Sequence, residues 1–334
     1  MDRISDYYVL PLDDWIELAV KDWLVPNFRP AFRAMQWPIA QVMDGLEALL
    51  LVLPPALLLV VLTLLAWRAA GRGVAVFTAL STIAFDVLGV WEETMTTLAM
   101  VLTSVVFCAV VGVPLGIVAA RSDRFAAIIR PILDIMQTMP AFVYLVPIVM
   151  LFGVGIVPGI IATIIFALPP IIRLTNLGIR QVRGELVEAA YAFGSTPRQV
   201  LWEVQIPLAL RTIMAGLNQT LMLSLSMVVI AALIGAGGLG LTVFTGLGRL
   251  DVGAAAIGGI GIVLLAIVLD RITQALGERR PARARGGALR DLFRRGKDQA
   301  RGEGEDARPA PQQGRAPRQR GPGPPGPVAG RTEP

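Results

Sequence analysis

Of the 334 residues, 54% are hydrophobic and only 16% charged, with a mean hydropathy of +0.64. That balance excludes an ordinary soluble domain and indicates an integral membrane protein. One cysteine, Cys108, permits no intrachain disulfide, and the lack of histidine leaves neither a zinc site nor a Ser-His-Asp arrangement. No G-x-x-x-x-G-K-[ST] stretch occurs, so the chain holds no ATP by a P-loop of its own.

Residues 1–45 are polar and mildly acidic, with Asp2, Asp6, Asp13, Asp14, Glu17, Asp22 and Asp44 against four basic residues, and they contain Tyr7, Tyr8, Trp15, Trp23 and Trp37. No basic stretch followed by an apolar one marks a cleaved signal peptide. The aromatic residues suit a segment at headgroup level outside the cell, and a loosely ordered tail accounts for them equally well. A bilayer core takes about 20 apolar residues of helix, and seven spans are expected, at roughly 46–67, 74–90, 96–120, 141–156, 158–172, 212–234 and 253–270. The fourth and fifth are short and parted by Gly153, Gly155, Pro158 and Gly159. They read as a tight hairpin, two tilted spans or a partly re-entrant pair.

Basic residues in short loops stay in the cytoplasm. Arg68 and Arg72 follow the first span, Arg121, Arg124 and Arg130 the third, and Arg173, Arg180, Arg183, Arg198 and Arg211 lie between the fifth and sixth. The opposite loops carry Glu92 and Glu93, and Arg249 against Asp251. The N-terminus is therefore expected outside and the C-terminus inside. From about residue 277 Pro, Gly, Arg and Gln take over, and a disordered cytoplasmic tail is expected over 277–334. From Arg280 onward it has 13 basic and 6 acidic residues, the whole positive excess of the chain, so the pI of about 10.0 implies no nucleic-acid partner.

One cytoplasmic loop obeys local folding rules closely. Residues 185–193 read as a short helix with Leu186, Val187, Ala190 and Phe193 available for an apolar face, and Gly194 stands where a left-handed C-cap is needed. Thr196 is a good N-cap, with Pro197 at the first helical position and Gln199 completing a capping box. A second short helix is expected to run to about Val204 and to end against Pro207.

The spacing Glu188-Ala189-Ala190, Gly194, Val204, Ile206 and Pro207 resembles the EAA loop of ABC importer permeases, with Val204 and Ile206 where that family most often has Ile and Leu. The flanking stretches at 137–147 (QTMPAFVYLVP), 166–182 (FALPPIIRLTNLGIRQV), 218–220 (NQT), 225–240 (LSMVVIAALIGAGGLG) and 267–273 (IVLDRIT) are similar to the permeases of glycine betaine/proline betaine importers. The resemblance covers about residues 90–275.

It implies an all-α membrane protein with the type I ABC importer permease fold and a permease domain over 46–276. Two copies form the pathway, two separate ATPase subunits bind the ATP, and an extracytoplasmic binding protein delivers the solute from outside the bacterial inner membrane. Residues 185–207 are then the coupling helices. Glu188 supplies a polar contact, Gly194 sets the bend and Pro207 fixes the exit angle. No cofactor belongs to this chain.

The charged residues Glu47, Asp86, Asp134, Asp270 and Arg271 fall near span ends, which suits a solute without net charge. Asp134 reads as interfacial, with a gate role as the alternative. Phe142 and Tyr144 are candidates for the pathway or for packing. Asn218 is a further pathway candidate, and Gly237 and Gly238 allow either close packing or an outer gate. The spans offer too few rings for an aromatic cage around a quaternary ammonium, so selectivity is expected mainly in the binding protein. Choline, carnitine, proline and histidine remain alternative solutes. An ion-coupled secondary transporter fits less well, since neither midspan ionisable residues nor an internal repeat is evident.

Overall fold

The computed structural model describes residues 25–277, together with Trp15, Leu18 and Asp22. The expectations for the remainder of 1–24 and for the tail from residue 278 lie outside the described residues. Among the described residues every regular element is helical: α1 (Val25–Val52), α2 (Pro55–Ala70), α3 (Arg72–Val87), α4 (Trp91–Arg121), α5 (Asp123–Thr138), α6 (Ala141–Phe152), α7 (Ile156–Arg180), α8 (Gly184–Ala192), α9 (Pro197–Ile234), α10 (Leu239–Gly248) and α11 (Val252–Gly277). Helices suit a bilayer because they satisfy their own backbone groups.

Four of these, α4, α7, α9 and α11, are each long and apolar enough to cross a membrane, and there are six crossings if each of two bent helix pairs counts as one. The Pro30–Val52 part of α1 meets α2 at 107°, and α5 meets α6 at 101°. Both bends sit before proline, which bars the preceding residue from the helical region and lacks an N–H to continue the ladder. Met139, ahead of Pro140, is extended with ψ 133°. The expected first span at 46–67 is thus two helices, broken at Leu53 and Pro54. The expected boundary at residue 45 falls inside α1, whose Ile39 and Met43 are buried in the core. The second expected span corresponds to α3, whose 16 residues rise only about 24 Å against a core of about 30 Å. The fifth is a full helix, α7, and the fourth is the short arm α6.

The most enclosed helix, α7, lies between α4 and α9. Lipid tails give no hydrophobic drive for helix association, so contact depends on close packing through small residues. A Cβ on Gly112 or Gly116 of α4 would meet Ile171 or Thr175 of α7 at 2.4 and 2.5 Å, and one on Gly216 of α9 would meet Leu174 at 3.1 Å.

The two ends of the bundle differ in chemistry. At one end the Arg180 guanidinium donates to the Ala119 carbonyl at 2.8 Å and pairs with Asp123 at 2.7 Å. Gly277 approaches Met214 at that end. At the other end Gly155 N–H donates to the Ile234 carbonyl at 2.8 Å, and Leu239 N–H donates to Thr97 Oγ1 at 2.8 Å beside Glu93. The arginine-rich loop and the last described residue therefore share an end.

Candidate functional site

The hairpin formed by α8 and the first turns of α9 folds as the local rules require. Its first arm, α8, closes with Gly194 at φ 85°, where Gly194 N–H donates to the Tyr191 carbonyl at 2.9 Å and Ser195 N–H to the Ala190 carbonyl at 3.1 Å. This pair of bonds satisfies the last carbonyls of the helix, and the left-handed residue between them favours glycine. A Cβ at Gly194 would meet nothing within 4 Å, so conformation alone selects glycine there. The second arm opens with the expected capping box. Thr196 N–H donates to Gln199 Oε1 at 2.8 Å, Gln199 N–H donates back to Thr196 Oγ1, and Pro197 follows the cap.

Pro207 does not end the second arm, contrary to expectation. The chain widens into one π-helical turn at Val200–Gln205 and continues into the span through Ile206–Ala231. Ile206 N–H reaches back five residues to the Leu201 carbonyl. With the wider turn, the proline's missing N–H falls at the start of the regular segment, where it costs least. Val200 and Leu201 are buried, and Leu201 joins a cluster with Ile179, Ala209 and Ile213 that anchors the hairpin to α7 and α9.

The outer surface of the hairpin sets exposed aromatic rings among charged side chains such as Glu185, Glu188, Arg198 and Glu203. Phe193 is 90% exposed, Trp202 63% and Tyr191 48%. Phe193 therefore does not share the half-buried face of Leu186, Val187 and Ala190. Glu188, Ala189 and Gly194 are exposed beside it, Val204 and Ile206 are half-buried toward the bundle, and Pro207 is exposed. Glu188 makes no hydrogen bond or ion pair with a described residue. Sequence reasoning passed over Tyr191 and Trp202, although aromatic residues in a polar loop were the available signal.

The pathway candidates do not form one cluster. Phe142 is exposed, while Tyr144 is buried, donates its hydroxyl to the Met136 carbonyl and meets the Phe166 ring edge-on at 5.9 Å. Tyr144 thus fastens α6 to α5 and α7. Asn218 donates to Asp270 Oδ1 at 3.0 Å and accepts from Thr273 Oγ1 at 2.5 Å, joining α9 to α11. Gly238, at φ 75°, lies against Thr97, where a Cβ would come within 2.4 Å of Oγ1; at Gly237 the nearest atom would be 3.6 Å away. Asp134 pairs with Arg173 at 2.5 Å, both partly exposed. Beside them a cavity of about 360 Å³ is lined by Arg130, Leu133, Asn176 and Arg180 among others.

Residues 112–280 match the family described as binding-protein-dependent transport system inner membrane component. The chain is 57% identical over 278 residues to the glycine betaine/proline betaine transport system permease protein ProW of Escherichia coli (strain K12), covering 83% of this chain and 78% of that one. It is 47% identical over 283 residues to the glycine betaine transport system permease protein OpuAB of Bacillus subtilis (strain 168), covering 85% and 99%. Among solved structures, inward facing conformations of the MetNI methionine ABC transporter are similar, at 23% identity and a TM-score of 0.49 over 57% of this chain and 96% of that one. The chain belongs to the binding-protein-dependent transport system inner membrane component family, as a multi-pass, non-catalytic permease subunit of an ABC importer.

Proposed function

We propose that this chain forms the passage of an ATP-driven importer for glycine betaine, proline betaine or a related zwitterionic solute, and that residues 185–207 seat on a separate ATPase. Two copies enclose the passage, each on one ATPase subunit, and a binding protein delivers solute at the end marked by Glu92, Glu93 and Gly155. The N-terminus lies outside, and the arginine-rich end with Gly277 faces the cytoplasm. The reading is supported by the basic residues at that end and by the names of the similar permeases.

The observation that carries the coupling role is the hairpin itself: rigidly capped, anchored by Val200 and Leu201, and presenting Phe193, Tyr191 and Trp202 to solvent. Exposed aromatic rings on a folded hairpin of this kind gain stability when a partner groove covers them. Glu188 and Ala189 border the contact, Ala190 and Gly194 shape it, and Val204, Ile206 and Pro207 carry its motion into α9. Tyr144, Asn218 and Gly238 act on the passage through the packing of its walls, and the exposed Phe142 and the loosely contacted Gly237 act at its surface.

The test is uptake of labelled glycine betaine by cells lacking their own systems, with and without the ATPase subunit and with Glu188→Ala or Gly194→Val in the hairpin. Uptake should require the ATPase, and the hairpin variants should lose both the ATPase and transport. Uptake that persists without the ATPase refutes the coupling role. Transport of choline or proline in preference to betaines refutes the solute assignment alone.

A further inference from the structure

Helix α9 has an uncovered face that differs from those of the other long spans. Arg211, Ala215, Gln219, Ser226 and Leu233 are all exposed, and steps of four, four, seven and seven residues keep them on one side of a helix. From Arg211 to Leu233 the face extends about 33 Å along the axis, roughly the thickness of a bilayer core. Gln219 lies about 12 Å in from Arg211, and Ser226 lies about 12 Å in from Ile234. Both therefore sit at membrane depth. The exposed mid-span side chains of α4, such as Val106, Val110 and Val118, and those of α11, such as Ile260 and Val263, are apolar throughout.

Gln219 is the decisive residue. Its neighbour Asn218 is paired with Asp270 and Thr273, whereas the Gln219 carboxamide makes no hydrogen bond with a described residue. Moving an unpaired amide from water into hydrocarbon is strongly unfavourable, and polar groups within spans face the protein interior or water. Ser226 already donates to the Met222 carbonyl at 3.1 Å, so it tolerates either surrounding. No ionisable side chain interrupts the face beyond Arg211. A donor-and-acceptor group in an otherwise uncharged wall suits a zwitterion with its hydration water and gives it no charged trap.

We propose that this face of α9 lines the aqueous passage of the assembled transporter and that Gln219 hydrogen-bonds the solute or its water at mid-membrane. The inference rests on the permease reading above and adds the wall and its polar contact.

The test uses the complete transporter in vesicles, with Cys108→Ser as parent; if that variant folds poorly, the native chain serves, because Cys108 is buried. Single cysteines replace Gln219 and Ser226, and Val110 and Val263 on the exposed apolar faces of α4 and α11 as controls. A charged, membrane-impermeant thiol reagent should label Gln219→Cys and Ser226→Cys about tenfold or more faster than either control, because the reacting thiolate forms only where water reaches. Labelling should also block uptake. In parallel, Gln219→Leu should slow uptake with the ATPase still bound, and Gln219→Asn should restore much of it. Labelling of Gln219→Cys only by a lipid-soluble reagent places the face in lipid, and no labelling by either reagent places it in a sealed contact between copies. Either result, or unimpaired uptake by Gln219→Leu, overturns the inference. A parent that carries no solute at all refutes instead the function on which it rests.

Discussion

Replacing Phe193 with alanine separates a docking role from a folding role, because the residue is 90% exposed in the chain. A side chain that touches little contributes little to stability, so the detergent-solubilised variant should melt as the parent does. If a groove on the ATPase covers the ring, the lost burial costs about 1.5–3 kcal/mol. At 1.4 kcal/mol per decade, that weakens association roughly 10- to 150-fold. The assay titrates the ATPase subunit onto the solubilised permease and reads the dissociation constant alongside the melting temperature. An unchanged dissociation constant removes Phe193 from the interface, and a large fall in melting temperature shows that the ring is packed within the chain. Either result refutes the reasoning. Leu201→Ala provides the opposite control, since Leu201 is buried and its truncation should cost about 2–5 kcal/mol of stability.

Three further outcomes are expected. Gly238→Ala combines φ 75° with a Cβ 2.4 Å from Thr97 Oγ1 and should cost about 3 kcal/mol, while Gly237→Ala, with ordinary contacts, should be near neutral; equal melting temperatures would contradict this. Thr196→Ala removes the capping box and should destabilise the hairpin by about 1 kcal/mol, seen as faster amide hydrogen exchange over 198–200 with the spans unaffected. Asn218→Leu leaves Asp270 with Gln274 and breaks the tie between α9 and α11; a loss of about 1–3 kcal/mol in thermal unfolding is expected.

The features legible in the sequence were those set by residues a few positions apart. Gly194, Thr196, Pro197 and Gln199 occupy their expected places because caps are closed by bonds across three to five residues. The break at Pro54 was equally local, yet hydropathy averaged over a span counts apolar side chains and does not register a missing N–H. Pro207 misled for the converse reason. A proline ends a helix only if the ladder must stay regular, and the anchoring of Val200 and Leu201 lets one wider turn absorb the defect. Tyr144 and Phe142 lie two residues apart on one short helix, and only the packing of α5 and α7 decides which ring is buried. The same holds for Gln219, since periodicity places it on a face of α9 but cannot say whether another helix covers that face.

The π-helical turn also bears on how motion at the hairpin reaches the membrane. Had the second arm ended at Pro207, a loose joint would separate the hairpin from the span, and displacement of Phe193 would be lost in the bend. The structure instead shows an unbroken helical path from Pro197 to Ile234, with Leu201 gripping α7 beside it. If the hairpin seats on an ATPase as proposed, a push on it reaches the span through this continuous helix, with the wider turn as its most compliant point. The helix's far end is tied to α7 by the Gly155 to Ile234 hydrogen bond and abuts Gly238, packed on α4. Its free side is the face carrying Gln219. The proposed coupling surface and the proposed passage wall are therefore two parts of one helix.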